Sequence, residues 1–172
     1  MKWLIQPARL TADIPIGSER VAILIAAADA IGSFVRISGD FPRLPAFRRV
    51  LLQLRQSGHT FESVEEEFYP GLLVAACYSE GRTVFRGIPA RFERLERALR
   101  ALGAPVKREG QMVTVSGSGS LAGGIADAEE DEEAAAYIAV AATMAERDTI
   151  IENAAGDWLN IAIAAGGRGT VL

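Results

Sequence analysis

A chain of 172 residues with 49% hydrophobic side chains is long enough to bury a core of its own without staples. Its formal charge of −4 runs against a general role on nucleic acid or on an anionic membrane surface. One cysteine, Cys77, and one histidine, His59, exclude an internal disulfide and supply too few soft ligands for a zinc centre, so no metal and no cofactor is expected.

The chain opens on two short apolar strands, Leu4–Gln6 and Thr11–Ile14, read as a hairpin. Met1–Pro7 is too short an apolar run for a signal peptide. The longest apolar stretch, Val21–Ala28, falls far short of a membrane span and is followed by Asp29. A soluble cytoplasmic protein is the expectation.

Three segments then follow one plan. The first, Ser18–Gly58, predicts a helix over Arg20–Ala30, a turn at Gly32, a strand over Phe34–Ile37 and a helix over Ala46–Gln56. The second, Glu66–Gly103, predicts a helix over Gly71–Ser79, a turn at Gly81, a strand over Thr83–Arg86 and a helix over Arg91–Leu102. A hairpin of Pro105–Glu109 and Met112–Val115 comes next, and the Ser-Gly alternation of Ser116–Ser120 reads as a surface loop. The third, Glu132–Gly167, predicts a helix over Ala134–Ala145, a turn at Arg147–Asp148, a strand over Thr149–Glu152 and a helix over Asp157–Ala165. Gly167–Leu172 reads as a turn and a last strand.

Gly58, Gly103 and Gly166 each stand just past a helical pattern, where a left-handed cap is cheap for glycine alone. The first helix of each segment is apolar nearly all round, which places it inside the domain. The second is amphipathic: Leu51, Leu52 and Leu54, then Leu95, Leu99 and Leu102, form apolar stripes among charges. The expected fold is α/β (α+β), a single domain over 1–172. Its repeat units, β-α-β-α-β-β, span about 1–61, 62–118 and 119–172, with alanine-rich helices inside and sheets and amphipathic helices around them.

Several residues read more simply as structure than as chemistry. Arg43, Arg48, Arg49 and Arg55 form the solvated face of one helix, and Cys77 is a buried, inert thiol. Trp3 and Trp158 are core or rim aromatics, and Asp157 is an N-cap ahead of Trp158.

The order of these elements resembles one half of an enolpyruvyl transferase of the EPSP synthase kind. The opening Ile5-Gln-Pro-Ala-Arg-Leu-Thr-Ala-Asp-Ile-Pro-Ile-Gly-Ser18, followed by Arg20 and an apolar helix, is similar to the start of EPSP synthases. Leu95-Glu-Arg-Ala-Leu-Arg-Ala-Leu-Gly-Ala104, then a hairpin and Leu121-Ala-Gly-Gly124, resembles the second unit of their first half. Ala141-Ala-Thr-Met-Ala-Glu-Arg-Asp-Thr-Ile-Ile-Glu-Asn-Ala-Ala155 is similar to the third unit of UDP-N-acetylglucosamine enolpyruvyl transferase. The resemblance implies transfer of an enolpyruvyl group from phosphoenolpyruvate to a hydroxyl. It also implies a cleft between two such domains, with inner-helix N-termini, which attract phosphate and carboxylate, pointing into it.

The family's substrate motifs are changed here. Its glycine–serine–lysine stretch corresponds to Ile14–Arg20, where Ser18 and Arg20 could hold an anion but no lysine stands nearby. The arginine opening its second inner helix corresponds to Phe68-Tyr69-Pro70, and its arginine–proline–methionine stretch to Ala90-Arg91-Phe92, with Arg91 one place off. Its serine–serine–glutamine phosphate cradle corresponds to Asp131-Glu132-Glu133. Ionised carboxylates accept but cannot donate, so the cradle's donors are gone. The same acids also suit the first turn of a helix, whose dipole they complement; a cation site, a docking patch for a basic partner, and general acid–base work by one carboxylate, which nothing in the sequence singles out, are the other readings.

The candidate anion site is therefore Ser18, Arg20 and Arg91, the acidic patch is Asp131, Glu132 and Glu133, and no catalytic residue is assigned. Two functions fit. One is a non-catalytic binding or structural module; the other is a half-size or split enolpyruvyl transferase that completes its cleft with a second chain. The expected partners are a second copy or a separate chain and a small anionic ligand, with neither nucleic acid nor membrane. Like charges at Glu130–Glu133 disfavour pairing of two identical cleft faces, leaving a monomer or a dimer through a sheet edge or the Arg43–Arg55 helix.

Overall fold

The computed structural model describes residues 2–6, 11–15, 19–30, 34–38, 40–54, 58–156 and 169–172. Five helices run through them: α1 (Glu19–Ala30), α2 (Leu44–Gln53), α3 (Tyr69–Tyr78), α4 (Glu93–Ala101) and α5 (Glu132–Ala142). Ten strands accompany these: β1 (Trp3–Ile5), β2 (Thr11–Pro15), β3 (Phe34–Ser38), β4 (Thr60–Phe61), β5 (Glu80–Phe85), β6 (Val106–Glu109), β7 (Met112–Ser118), β8 (Ile125–Asp127), β9 (Thr149–Glu152) and β10 (Gly169–Val171). A 3-10 turn, Ala90–Phe92, leads into α4. The helix expected over Asp157–Ala165, with Trp158 and Gly166, lies outside the described residues.

α1, α3 and α5 pack on one another. Every residue of α3 from Tyr69 to Cys77 and of α5 from Ala134 to Ala142 is buried, as are Ala22–Leu24 and Ala26–Ala28 of α1. Helices apolar all round have no solvent face to offer, so they take the middle. Small side chains let them approach. A Cβ on Gly71 would stand 2.8 Å from the Phe47 ring and 3.3 Å from Ala27 Cβ, so this glycine sets how closely α3 lies to α1 and α2. Cys77 is fully buried among these helices, and burial pushes its thiol up to about 12, which leaves it protonated and unreactive.

The amphipathic helices cover the inner ones. α4 buries Leu95, Ala98 and Leu99, with Leu102 at its end, and Gly103 then turns the chain at φ +93°. α2 buries Leu44, Phe47 and Leu51, while Arg48 and Arg49 face solvent. Leu52, expected in the apolar stripe, is 56% exposed; it follows Leu51 directly and so points about 100° away around the helix. α2 and α3 both start earlier than the periodicity implies. Pro45 and Pro70 sit in their first turns, where proline's fixed φ is already helical and its missing N–H costs nothing.

Two sheets have four strands, in the orders β4-β5-β7-β6 and β10-β1-β9-β8, and β2 pairs with β3 alone. This corrects the hairpin expected at the chain's start. β1 lies antiparallel between β9 and β10, whereas β2 runs parallel to β3 in another sheet. A strand, α1 and a strand make a crossover unit, which parallel pairing requires and a tight turn cannot supply.

Ser116–Ser120 is corrected too. β7 continues to Ser118, with Ser116, Gly117 and Ser118 in register with Arg82, Gly81 and Glu80. The turn expected at Gly81 is likewise part of β5. A Cβ at Gly117 would fall 1.8 Å from the Ser79 carbonyl oxygen and 2.4 Å from that of Ala76. The glycine is there because β7 passes over the end of α3 with no room for a side chain.

Among the described residues no helix is long and apolar enough to cross a membrane.

Candidate functional site: a charged cleft at three helix N-termini

A cavity of about 470 Å³ opens where the N-terminal ends of α3, α4 and α5 converge. Pro70 of α3 forms one wall. The 3-10 turn and the first turns of α4 bring Arg91, Arg94 and Arg97, and α5 brings Asp131, Glu133 and Tyr137. Helix N-termini carry unsatisfied N–H groups and partial positive charge, so a cleft of this build suits an anion.

The chain places its own carboxylates there. Asp131 caps α5, its Oδ1 accepting from the Ala134 N–H at 2.9 Å. Glu129 accepts from Arg97 Nη2 at 2.6 Å and stands 3.3 Å from Arg94 Nε. Arg94 also has Nη1 4.0 Å from Asp131 Oδ2. Arg91 pairs with Glu66 and lays its guanidinium over the Phe92 ring, 4.3 Å from the centroid. Arg97 is held above its ordinary pKa, first by the hydrogen bond to Glu129. These pairs are half exposed, so solvent screening leaves each with little to contribute to stability. Their chemical effect is larger: all three cations have an internal counter-ion.

The β8–α5 connection that presents Glu129 is tightly closed. Glu129 and Glu130 both take positive φ, at 51° and 61°. The Ala128 N–H donates to Glu152, the Glu130 N–H to the Asn153 carbonyl, and the Asp131 N–H back to Ala128. Asp127 Oδ1 accepts from the Glu129 N–H at 2.8 Å and from Asn153 Nδ2 at 2.9 Å. Those two donors, Asn153 first, hold its carboxyl below the usual range.

Beneath the cleft lies a buried ionic cluster. Glu96 of α4 is fully buried and accepts from Tyr69 Oη at 2.8 Å. Arg108 of β6 meets it with a two-pronged pair, Nε to Oε2 at 2.7 Å and Nη2 to Oε1 at 2.6 Å. Arg108 also donates to the carbonyls of Ile88, Pro89 and Gly110. It therefore ties α4 to the stretch leading into the 3-10 turn that carries Arg91. Burial, then the Glu96 charge, pushes the Tyr69 hydroxyl far up, so it stays a donor.

The residues expected from the sequence distribute unevenly. Arg91, Asp131 and Glu133 line one cleft. Glu132 is exposed and lies against Gly156, where an added Cβ would fall 2.2 Å from Glu132 Cδ. Ser18 lies outside the described residues, and of Arg20 the backbone alone, in the first turn of α1, is described. Arg94, Arg97 and Glu129 were not expected together, because their ion pairs join α4 to a loop distant in sequence. Glu96 left a signal: it sits beside Leu95 and one turn before Leu99, within the apolar stripe of α4, where a lone carboxylate needs a buried partner.

Among the described residues no group of three or more His, Cys, Asp or Glu is placed to hold a metal ion. His59 packs edge-on to Phe61 instead.

This arrangement of helices and sheets is that of an enolpyruvyl transferase domain. The enolpyruvyl transferase NikO from Streptomyces tendae superposes with a TM-score of 0.66 at 20% identity, over 80% of this chain and 39% of that one. EPSP synthase from Acinetobacter baumannii gives 0.64 at 15% identity, over 88% of this chain and 46% of the other. In sequence, the family model of EPSP synthase (3-phosphoshikimate 1-carboxyvinyltransferase) matches residues 24–166. The 3-phosphoshikimate 1-carboxyvinyltransferase of Alkalilimnicola ehrlichii is 31% identical over 82% of this chain. That of Nitrosococcus oceani is 37% identical over 46%. The chain belongs to the EPSP synthase family and resembles one domain of it. The matches span 31% and 18% of those two relatives.

Proposed function

We propose that this chain is a non-catalytic module of the EPSP synthase fold, serving to bind a partner or as a structural subunit. One observation carries the reading: the cations and the α5 N-terminus of its cleft are already engaged by the chain's own carboxylates, Glu66, Glu129 and Asp131. A phosphate or carboxylate entering the cleft would meet Asp131 and Glu133 where the family's motif has neutral donors. At an effective dielectric near 20, one like-charge contact at 4 Å costs about 4 kcal/mol. The helix N-terminus returns about 0.3–1 kcal/mol, and the arginines return little without giving up Glu129. Repulsion wins.

The test is phosphate release from phosphoenolpyruvate and shikimate 3-phosphate by the purified chain. No turnover is expected, and turnover by a homogeneous sample would overturn the reading. Glu129→Gln supplies a second arm: freeing Arg94 and Arg97 should raise phosphate affinity without producing turnover.

The second reading is a half-size or split enolpyruvyl transferase. It is favoured by the chain matching 31% of the Alkalilimnicola enzyme, in a family whose resemblance implies a cleft between two such domains. Turnover that appears when a second chain is added, and in neither alone, would select it.

A further inference from the structure

The two four-stranded sheets share one order. In each, a parallel pair comes first, its second strand following an inner helix, and two antiparallel strands are added on that strand's far side. One sheet runs β4, β5, β7, β6 and the other β8, β9, β1, β10. β2 and β3 form the same parallel pair around α1. There the order stops. Among the described residues, the place that β7 holds beside β5, and β1 beside β9, is unfilled beside β3.

The cause is visible in chain lengths. The β6–β7 hairpin occupies the connection 102–124 between α4 and β8, whereas residues 54–59 join α2 to β4, too few for two strands. All other described strands are paired within the two complete sheets. The outer edge of β2 is unexceptional, since β4 and β8 are edges in complete sheets too. The departure is confined to β3, whose sequence Phe-Val-Arg-Ile-Ser reads as an interior strand. It has no proline or lysine to blunt an edge, and its one charge, Arg36, stands in register with Asp13 of β2.

We propose that this edge is filled by β3 of a second copy, antiparallel across a two-fold axis. Two-fold closure of one edge on itself is necessarily antiparallel, the sense of β5–β7 and β9–β1. It makes a sheet β2-β3-β3-β2 of four strands, the size of the other two, and removes both unfinished edges in one contact. Charge selects the register. Centring on Arg36 would pair two positions of like charge in register. Centring on Ile37 sets Arg36 against the partner's Ser38 and joins two Asp13–Arg36 rows without a like-charge pair.

Sedimentation equilibrium over a range of concentrations, with amide hydrogen exchange at the lowest and highest, tests this on the full chain. A dimer is expected, with exchange at residues 34–38 slowing several-fold as the dimer fills. Ser38→Lys should raise the dimer dissociation constant at least about threefold by facing Arg36 in two places, and Ser38→Asp should lower it. A monomer at every concentration, a dimer whose residues 34–38 exchange equally at both extremes, or two Ser38 variants that move together would overturn the proposal.

Discussion

Glu96→Ala should unfold this protein more readily than any other single change near the cleft. The substitution removes the acceptor of three buried hydrogen bonds, one from Tyr69 and two from Arg108. The Arg108 side chain is 10% exposed, so water can replace the lost partner only in part. Breaking a buried ion pair from one side typically costs about 3–5 kcal/mol, because a charge is stranded. For a chain of this size that is a fall in melting temperature of about 6–20 °C. Replacing the whole cluster, as Tyr69→Phe with Glu96→Leu and Arg108→Met, strands no charge and should recover most of the loss. Recovery should be incomplete, because Arg108 also serves the carbonyls of Ile88, Pro89 and Gly110. Urea denaturation followed by circular dichroism measures all of this. A loss under about 1 kcal/mol for Glu96→Ala, or a triple variant weaker than the single one, would refute the reasoning.

Glu130→Gly should stabilise the fold by up to about 1 kcal/mol, since Glu130 is exposed at φ 61°; thermal melts of the two proteins check it. Asp127 gives a pH dependence with a definite sign. Its folded pKa is depressed, so its contribution is complete above the unfolded value of about 3.9 and lost as pH falls through the folded one. The stability difference between the protein and Asp127→Ala should hold constant above about pH 5 and shrink below about pH 4. If an anion site remains at Ser18 and Arg20, Arg20→Ala should abolish phosphate or sulfate binding in calorimetry; equal binding by both proteins would place the site elsewhere.

Much of the architecture was legible in the sequence because it rests on local periodicity. Three stretches with no polar face, in α1, α3 and α5, could be satisfied in the interior alone, and the structure packs them there. The stripes of α2 and α4 were equally plain, apart from Leu52. Asp131, Glu132 and Glu133 suited the first turn of a helix by their charge, and the structure makes Asp131 the N-cap of α5. The changed cradle could also be read, because a carboxylate is an acceptor wherever it sits.

Tertiary structure decided what depends on distant parts of the chain. The strand pairings could not be read, because β1 joins β9 and β10 across almost the full length of the chain. Composition made Ser116–Ser120 resemble a loop, and the carbonyls of Ala76 and Ser79, packed against Gly117, show why glycine was needed in a strand. Arg94 and Arg97 meet Glu129 only because the β8–α5 loop, more than thirty residues on, is folded against α4. Glu96 and Arg108 are twelve residues apart on different elements, and α4 must pack against β6 before their charges can meet. Residue type and spacing specify which groups can donate, accept or bury. Which of them cancel each other's charge is a matter of distance in space, and packing alone sets that.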